Sequence, residues 1–104
     1  MDLNSVSITG RITRDVEVRN TPSGMAVAEI SVAINGTKKG ASGEYEDVVH
    51  FVDVTLFGRT AEVAAEYCGK GSRVAVDGRL TQDRWQDKES GANRSKLKVV
   101  CLTF

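Results

Sequence analysis

The clearest hydrophobic pattern in the chain is an alternation with a period of two between residues 51 and 57. The even-numbered positions are aliphatic, which predicts the apolar face of a half-buried β-strand. The odd-numbered positions form a polar outer face that nevertheless carries two large aromatic rings. Exposed rings on such a face are unusual and indicate that a partner chain, a covering element or a flat ligand contacts them. The members of this outer face are Phe51, Asp53, Thr55 and Phe57.

Similar alternation predicts four more strands. Turn residues separate the first two, and residues 35–46 are predicted to form a polar loop because Asn35-Gly36 opens a stretch rich in lysine and glycine. In the fourth strand we expect Leu80 to lie on one face together with Val74 and Val76. The five predicted strands span residues 6–12, 28–34, 48–57, 73–80 and 96–103.

One short helix is predicted between the third and fourth of these strands. Thr60 is the expected cap, and apolar residues spaced four apart, such as Val63 and Tyr67, predict a stripe that packs on the sheet. Gly69 is the expected C′ residue, just beyond the end of the helix.

This order of elements predicts an all-β OB-fold, a five-stranded barrel with one short helix between strands 3 and 4. Gly10 and Gly78 lie inside otherwise good strands, where glycine weakens a strand unless it permits a sharp bend. We expect a single domain over residues 1–104, because the chain is long enough for one small core.

Composition narrows the class of protein further. The chain contains no apolar run near the length of a membrane span and no signal-peptide pattern, which fits a cytoplasmic protein. Cys68 and Cys101 lack metal-site or disulfide spacing, so we interpret both as thiols of the core.

The net charge is zero, but the charges are unevenly distributed. Residues 79–98 carry an excess of three positive charges, whereas residues 26–57 carry an excess of three negative charges. The only tryptophan, Trp85, lies within the basic segment. Aromatic rings near cations are typical of proteins that hold single-stranded nucleic acid by stacking.

The chain also resembles the bacterial-type single-stranded DNA-binding proteins over nearly its whole length. The resemblance implies an OB-fold that binds single-stranded DNA without sequence preference, without catalysis or cofactors, in a homotetramer that serves replication, recombination and repair in the nucleoid. The matching segments, in family order, are ITGRI at 8–12, DVEVR at 15–19, PSG at 22–24, AVA at 26–28, LFGR at 56–59, AEVA at 61–64, GKGS at 69–72, VDGRL at 76–80 and the single residues Tyr67 and Trp85.

The same resemblance implies which residues contact the nucleic acid. Phe51, Phe57 and Trp85 match positions where bases stack. Arg59, Lys70 and Arg84 match basic positions along the DNA path. The further candidates for phosphate contacts are Arg11, Lys38, Lys39, Arg73 and Arg79.

The chain departs from the family pattern at three places. The 35–40 segment has Lys38 where some members have a stacking tryptophan, and Asp53 and Asp83 stand where some relatives have basic residues. The disordered linker and acidic C-terminal tip, through which the family recruits replication and repair proteins, do not occur within the 104 residues.

Other interpretations stay open at the level of sequence. The aromatic residues could be covered by the helix or by another subunit, which would make the chain a protein–protein interaction module or a replication-restart accessory factor. Tyr45 could stack on a base or lie in a solvated loop. His50 has no nucleophile or metal partner at a suitable spacing, and the acidic residues between 44 and 47 are more typical of a solvated loop. We therefore predict neither an enzyme nor a metal site.

Overall fold

The computed structural model describes residues 2–103, and the side chains of residues 2–101. It contains six strands and one helix. The elements are β1 (Val6–Ile12), β2 (Glu17–Asn20), β3 (Ala26–Lys39), β4 (Tyr45–Phe57), α1 (Gly58–Tyr67), β5 (Arg73–Gln86) and β6 (Asn93–Thr103).

The strands close into a barrel. They are hydrogen-bonded in the order β1-β5-β6-β4-β3-β2, and β1 also pairs with β3 at its C-terminal end, which closes the ring. The contact between β4 and β6 is parallel, and the other pairings are antiparallel. The predicted OB-fold is therefore confirmed. The helix lies between β4 and β5 in this count because residues 17–20 form an additional short strand.

The aliphatic positions of the predicted strands fill the barrel. Ile30, Val32, Val54 and Leu56 are fully buried, so the apolar face predicted for residues 51–57 is correct. Cys101 belongs to this core and Cys68 packs against it, as predicted. Burial raises the pKa of the Cys101 thiol, with a smaller contribution from the charge of Asp77.

The two interior glycines mark close approaches between strands. A Cβ atom on Gly10 would lie 2.4 Å from the carbonyl oxygen of Ala33, and one on Gly78 would lie 2.2 Å from that of Val100. Gly78 also adjoins an irregularity in the register of β5 and β6. These positions require glycine because any side chain would overlap the neighbouring backbone.

Several boundaries differ from the predictions. Residues 35–39 and 45–46 of the predicted loop are strand: they lengthen β3 and β4, and residues 35–39 pair with residues 45–49 as a two-stranded arm with a short turn at residues 40–44. β5 likewise runs six residues further than predicted, so that Trp85 lies on a strand. Cross-strand pairing overrides the weak strand propensity of the glycine, asparagine and lysine residues in these segments.

The helix also differs in detail. It begins at Gly58, and Phe57 occupies the N-cap position without a side-chain hydrogen bond, so the expected cap at Thr60 is wrong. Tyr67 is 74% exposed rather than packed on the sheet. Gly69 directly follows the C-cap residue Cys68 and so occupies the predicted C′ position, although it has no positive φ. Leu80 is exposed, although it has the same strand parity as the buried residues Val74 and Val76.

Candidate nucleic-acid interface

The outer surface of β4 forms one side of a continuous aromatic surface. Phe51 is 68% exposed and Phe57 is 41% exposed. Between them, Asp53 is half-buried, whereas Thr55 is only 3% exposed, so its predicted place among the exposed polar residues is wrong. Phe57 is the last residue of β4 and the N-cap of α1, so both elements hold its backbone.

Trp85 joins this surface from β5. Its ring is half-exposed and lines a recess of about 220 Å³ together with Asp53 and Thr55 of β4. The three predicted stacking residues therefore surround one part of the sheet. We call the outer surface that carries Phe51, Phe57 and Trp85 the aromatic face.

Each ring on the aromatic face has an arginine in its own cross-strand row. Residues directly opposite one another in an antiparallel pair place their side chains on the same face. Arg94 lies directly opposite Trp85. Ala33 pairs with Arg11 on one side and with Phe51 on the other, so these three residues form one row. Val27 likewise pairs with Arg19 on one side and with Phe57 on the other. Adjacent strands are about 4.8 Å apart, so each of the latter two arginines starts about 10 Å from its ring.

Two lysines on the aromatic face are already paired with carboxylates. Lys96 forms an ion pair with Asp53, and the ammonium nitrogen of Lys98 lies 2.8 Å from a carboxylate oxygen of Asp83. The hydrogen bond and charge of Asp53 raise the pKa of Lys96 above its ordinary value, so this lysine stays charged. The Lys96–Asp53 pair thus joins the basic β5–β6 segment to the acidic β3–β4 segment, whereas the Lys98–Asp83 pair lies within the β5–β6 segment itself.

Five cations of this surface are absent from the sequence-based list of contact residues: Arg14, Arg19, Arg94, Lys96 and Lys98. Arg14 lines the same 220 Å³ recess as Trp85, Lys96 and Lys98. A guanidinium nitrogen of Arg94 lies 3.7 Å from a carboxylate oxygen of Asp87. The signal that identifies the β6 residues is the register of the β5–β6 hairpin, because every second residue opposite Trp85 must share its face.

The predicted phosphate contacts do not all lie beside the aromatic rings. Two of them lie beside the rings: Arg11 is in the row of Phe51, and Arg79 is in the row of Val100 and Thr55. Arg84 adjoins Trp85 in sequence and therefore points to the opposite face, where it donates two hydrogen bonds to Gln82.

The remaining predicted cations are more widely distributed. Lys39 shares the face of Phe51, whereas Lys38 has the opposite parity. Arg59 is exposed in the first turn of α1, where a guanidinium nitrogen lies 3.8 Å from a carboxylate oxygen of Glu62. Lys70 is exposed in the loop before β5, and Arg73 lies opposite Arg11 at the start of that strand.

Residues 2–103 contain neither a membrane-spanning helix nor a cluster of metal-binding side chains. No helix in this range is both long and apolar enough to cross a membrane. Within the same range, no three His, Cys, Asp or Glu side chains are grouped so that they could hold a metal ion.

A closed OB-fold barrel with rings and cations on one outer surface defines a class of oligonucleotide-binding module. The chain belongs to the single-strand binding protein family, whose model matches residues 3–104.

It is 50% identical over 97 residues to the single-stranded DNA-binding protein of Wolinella succinogenes, and this alignment covers 93% of the chain and 59% of that relative. It is 46% identical to single-stranded DNA-binding protein B of Bacillus subtilis, with 96% of the chain and 86% of the relative aligned.

A solved structure supports the same grouping. A crystal structure of a deletion mutant of the single-stranded DNA-binding protein from Thermus aquaticus superimposes with a TM-score of 0.83 at 30% sequence identity. The match covers 96% of the chain and 48% of that protein. The chain thus spans about half of that structure, and 59% and 56% of the Wolinella succinogenes and Helicobacter hepaticus relatives.

Proposed function

We propose that this protein binds single-stranded DNA without sequence preference, by stacking bases on the aromatic face and contacting phosphates with nearby cations. The observation that carries the proposal is the pairing of each exposed ring with an arginine in its own row. Every base has a flat face, so stacking tolerates any sequence, and a cation beside each ring suits the phosphate that accompanies the base.

Phe51, Phe57 and Trp85 are the proposed stacking residues. Arg11, Arg73, Arg79 and Lys39 are the candidate phosphate contacts that share their face, and Arg59 and Lys70 would extend the path around the helix. Exposed rings and cations on one continuous surface favour a nucleic-acid ligand over a purely protein partner, because protein interface cores are depleted in charged residues.

The direct test is a titration with oligo-dT while the fluorescence of Trp85, the only tryptophan, is followed. We expect quenching and tight binding of the single strand. A duplex of the same length should bind far more weakly, because paired bases hide their faces. Equal affinity for the two ligands at the same ionic strength would contradict the stacking mechanism.

We also propose that the protein assembles into a homotetramer around which DNA wraps. Among residues 2–103, one edge of β1 pairs with β5 from Val6 to Arg11, and the other edge pairs with β3 at Arg11 and Ile12. The edge toward β3 is therefore open from Val6 to Gly10. An open edge readily pairs with another chain. Light scattering at micromolar concentration should give about four times the chain mass, and a monomer that binds DNA tightly would contradict the assembly but not the binding.

The proposed biological role follows from this activity. A protein that covers single strands without sequence preference protects them during replication, recombination and repair, and in a bacterium it acts in the cytoplasm, at the nucleoid. No catalytic step is needed for this role.

A further inference from the structure

The arm formed by residues 35–39 of β3 and 45–49 of β4 extends beyond the barrel. Its strands remain in register from Asn35 opposite Val49 to Lys39 opposite Tyr45. A hydrogen bond of 2.7 Å from the Gly40 amide to the Glu44 carbonyl closes its tip. Every residue of the arm is exposed or half-buried, so the arm is not held by the core. It projects a further part of the sheet surface into solvent.

The aromatic face continues onto this arm. Tyr45 and Val49 have the same parity as Phe51 on β4, so their side chains belong to the same face of the strand. Tyr45 is 74% exposed and Val49 is 48% exposed. The distance along the strand from Phe51 to Tyr45 is six residues, or about 20 Å.

Tyr45 repeats the arrangement found at the other three rings. Lys39 lies directly opposite Tyr45 and shares its face, just as Arg94 lies opposite Trp85. Within the part of the chain that the structure describes, the side chains of Tyr45 and Lys39 form no hydrogen bond or ion pair. A ring and an adjacent unpaired cation are the two groups that one nucleotide requires.

We propose that Tyr45 and Lys39 form a distal nucleotide site, in which Tyr45 stacks on a base and Lys39 contacts its phosphate. This inference rests on the proposed function, because the ligand is the same single strand continuing from Phe51 along the arm. The polarity of the arm argues for this ligand: of the two rows between Phe51 and Tyr45 on this face, one holds Thr37 and Asp47, which leaves no continuous apolar stripe for a protein partner.

The test compares Tyr45→Ala with Tyr45→Phe on oligo-dT of increasing length, from about 4 to about 16 nucleotides, the range that one OB-fold covers. With the shortest chains, which the aromatic face can hold alone, the two variants should bind like the parent. With the longest, Tyr45→Ala should bind roughly 5- to 150-fold more weakly, the usual effect of losing one base–aromatic contact, whereas Tyr45→Phe keeps the ring and the affinity.

Tyr67→Ala is the matched control. Tyr67 is equally exposed, at 74%, but lies on the helix, so its loss should not alter binding at any length. A second variant tests the cation: Lys39→Ala should make the slope of log K against log[salt] shallower by about 0.7 on long chains.

Two results would overturn the inference while leaving the proposed function intact. In one, Tyr45→Ala binds long oligo-dT as tightly as the parent. In the other, Tyr45→Ala changes the mass measured by light scattering but not the affinity per chain, which assigns the arm to contacts between copies of the protein. Failure of the parent itself to bind oligo-dT would instead overturn the proposed function.

Discussion

Arg11 and Phe51 face one another across a single small residue, Ala33. The three residues lie in one row over three strands, which places the guanidinium and the phenyl ring on the same side of the sheet. Because β1 and β4 are not sequential neighbours, only closure of the barrel brings this cation to this ring. A base stacked on Phe51 would therefore lie within reach of a phosphate contact from Arg11.

We predict that Arg11→Ala weakens binding of oligo-dT and makes the slope of log K against log[salt] shallower by about 0.7, the value for one phosphate on a single strand. Titrations at several salt concentrations measure both quantities. Lys88→Ala is the control, because it removes one positive charge from the exposed turn between β5 and β6. Identical slopes for the two variants would show that Arg11 acts only through net charge.

Replacement of Trp85 should separate binding from folding. Trp85→Ala should lose about 1–3 kcal/mol of binding free energy to oligo-dT. The ring is half-exposed, so the free energy of unfolding should fall by much less than the 3–5 kcal/mol typical of a buried tryptophan. Leu97→Ala, at an exposed position on the other face of β6, should leave binding unchanged. Unfolding of Trp85→Ala without a change in affinity per folded chain would assign the residue to structure.

The carboxylates on the aromatic face should oppose phosphate binding. We predict that Asp53→Asn and Asp83→Asn each tighten binding of oligo-dT, because each releases a lysine, Lys96 or Lys98, from its ion pair. The slope of log K against log[salt] should become steeper by about 0.7 for each lysine that gains a phosphate. Asp47→Asn removes the same charge from β4 without releasing a lysine, so its slope should match that of the parent. An unchanged affinity in both lysine-releasing variants would mean that the phosphates do not approach these lysines.

The close contact at Gly78 predicts a large loss of stability. Gly78→Ala would place Cβ 2.2 Å from the Val100 carbonyl oxygen, so the strands must shift. We expect the free energy of unfolding to fall by about 1–3 kcal/mol or more, the range for overpacking. Gly36→Ala is the matched control within a strand, because its Cβ would lie 3.5 Å from the nearest atom. Denaturant titration of both variants measures the difference, and equal stabilities would contradict the geometry.

The fold could be predicted from sequence because its dominant signal is local. Alternation between buried and exposed positions identified all five long strands, and the order of strands and helix indicated the barrel. The ends of the strands were harder to predict. Residues 35–39 have composition typical of a loop, but cross-strand pairing keeps them extended. The cap of α1 was wrong because the abrupt turn at Gly58, with φ of +60°, starts the helix before Thr60.

The candidate interface could be predicted only in part. The exposed rings were visible as aromatic residues on a polar face. The cations beside them depend on register between strands distant in sequence, as for Arg11 and Phe51, and alternation within one strand carries no such information. Arg84 illustrates the difference: it is adjacent to Trp85 in the chain and yet points away from it.

The closure of β1 onto β5 also determines when the chain can fold. The hydrogen bond between the Ser7 hydroxyl and the Asp77 carboxylate joins residues 70 positions apart, and β1 depends on β5 for nearly all of its pairing. During synthesis the first strand must therefore wait, without its main partner, until most of the chain has left the ribosome. Such non-local pairing places folding in the slow class of small domains, on the order of milliseconds to seconds.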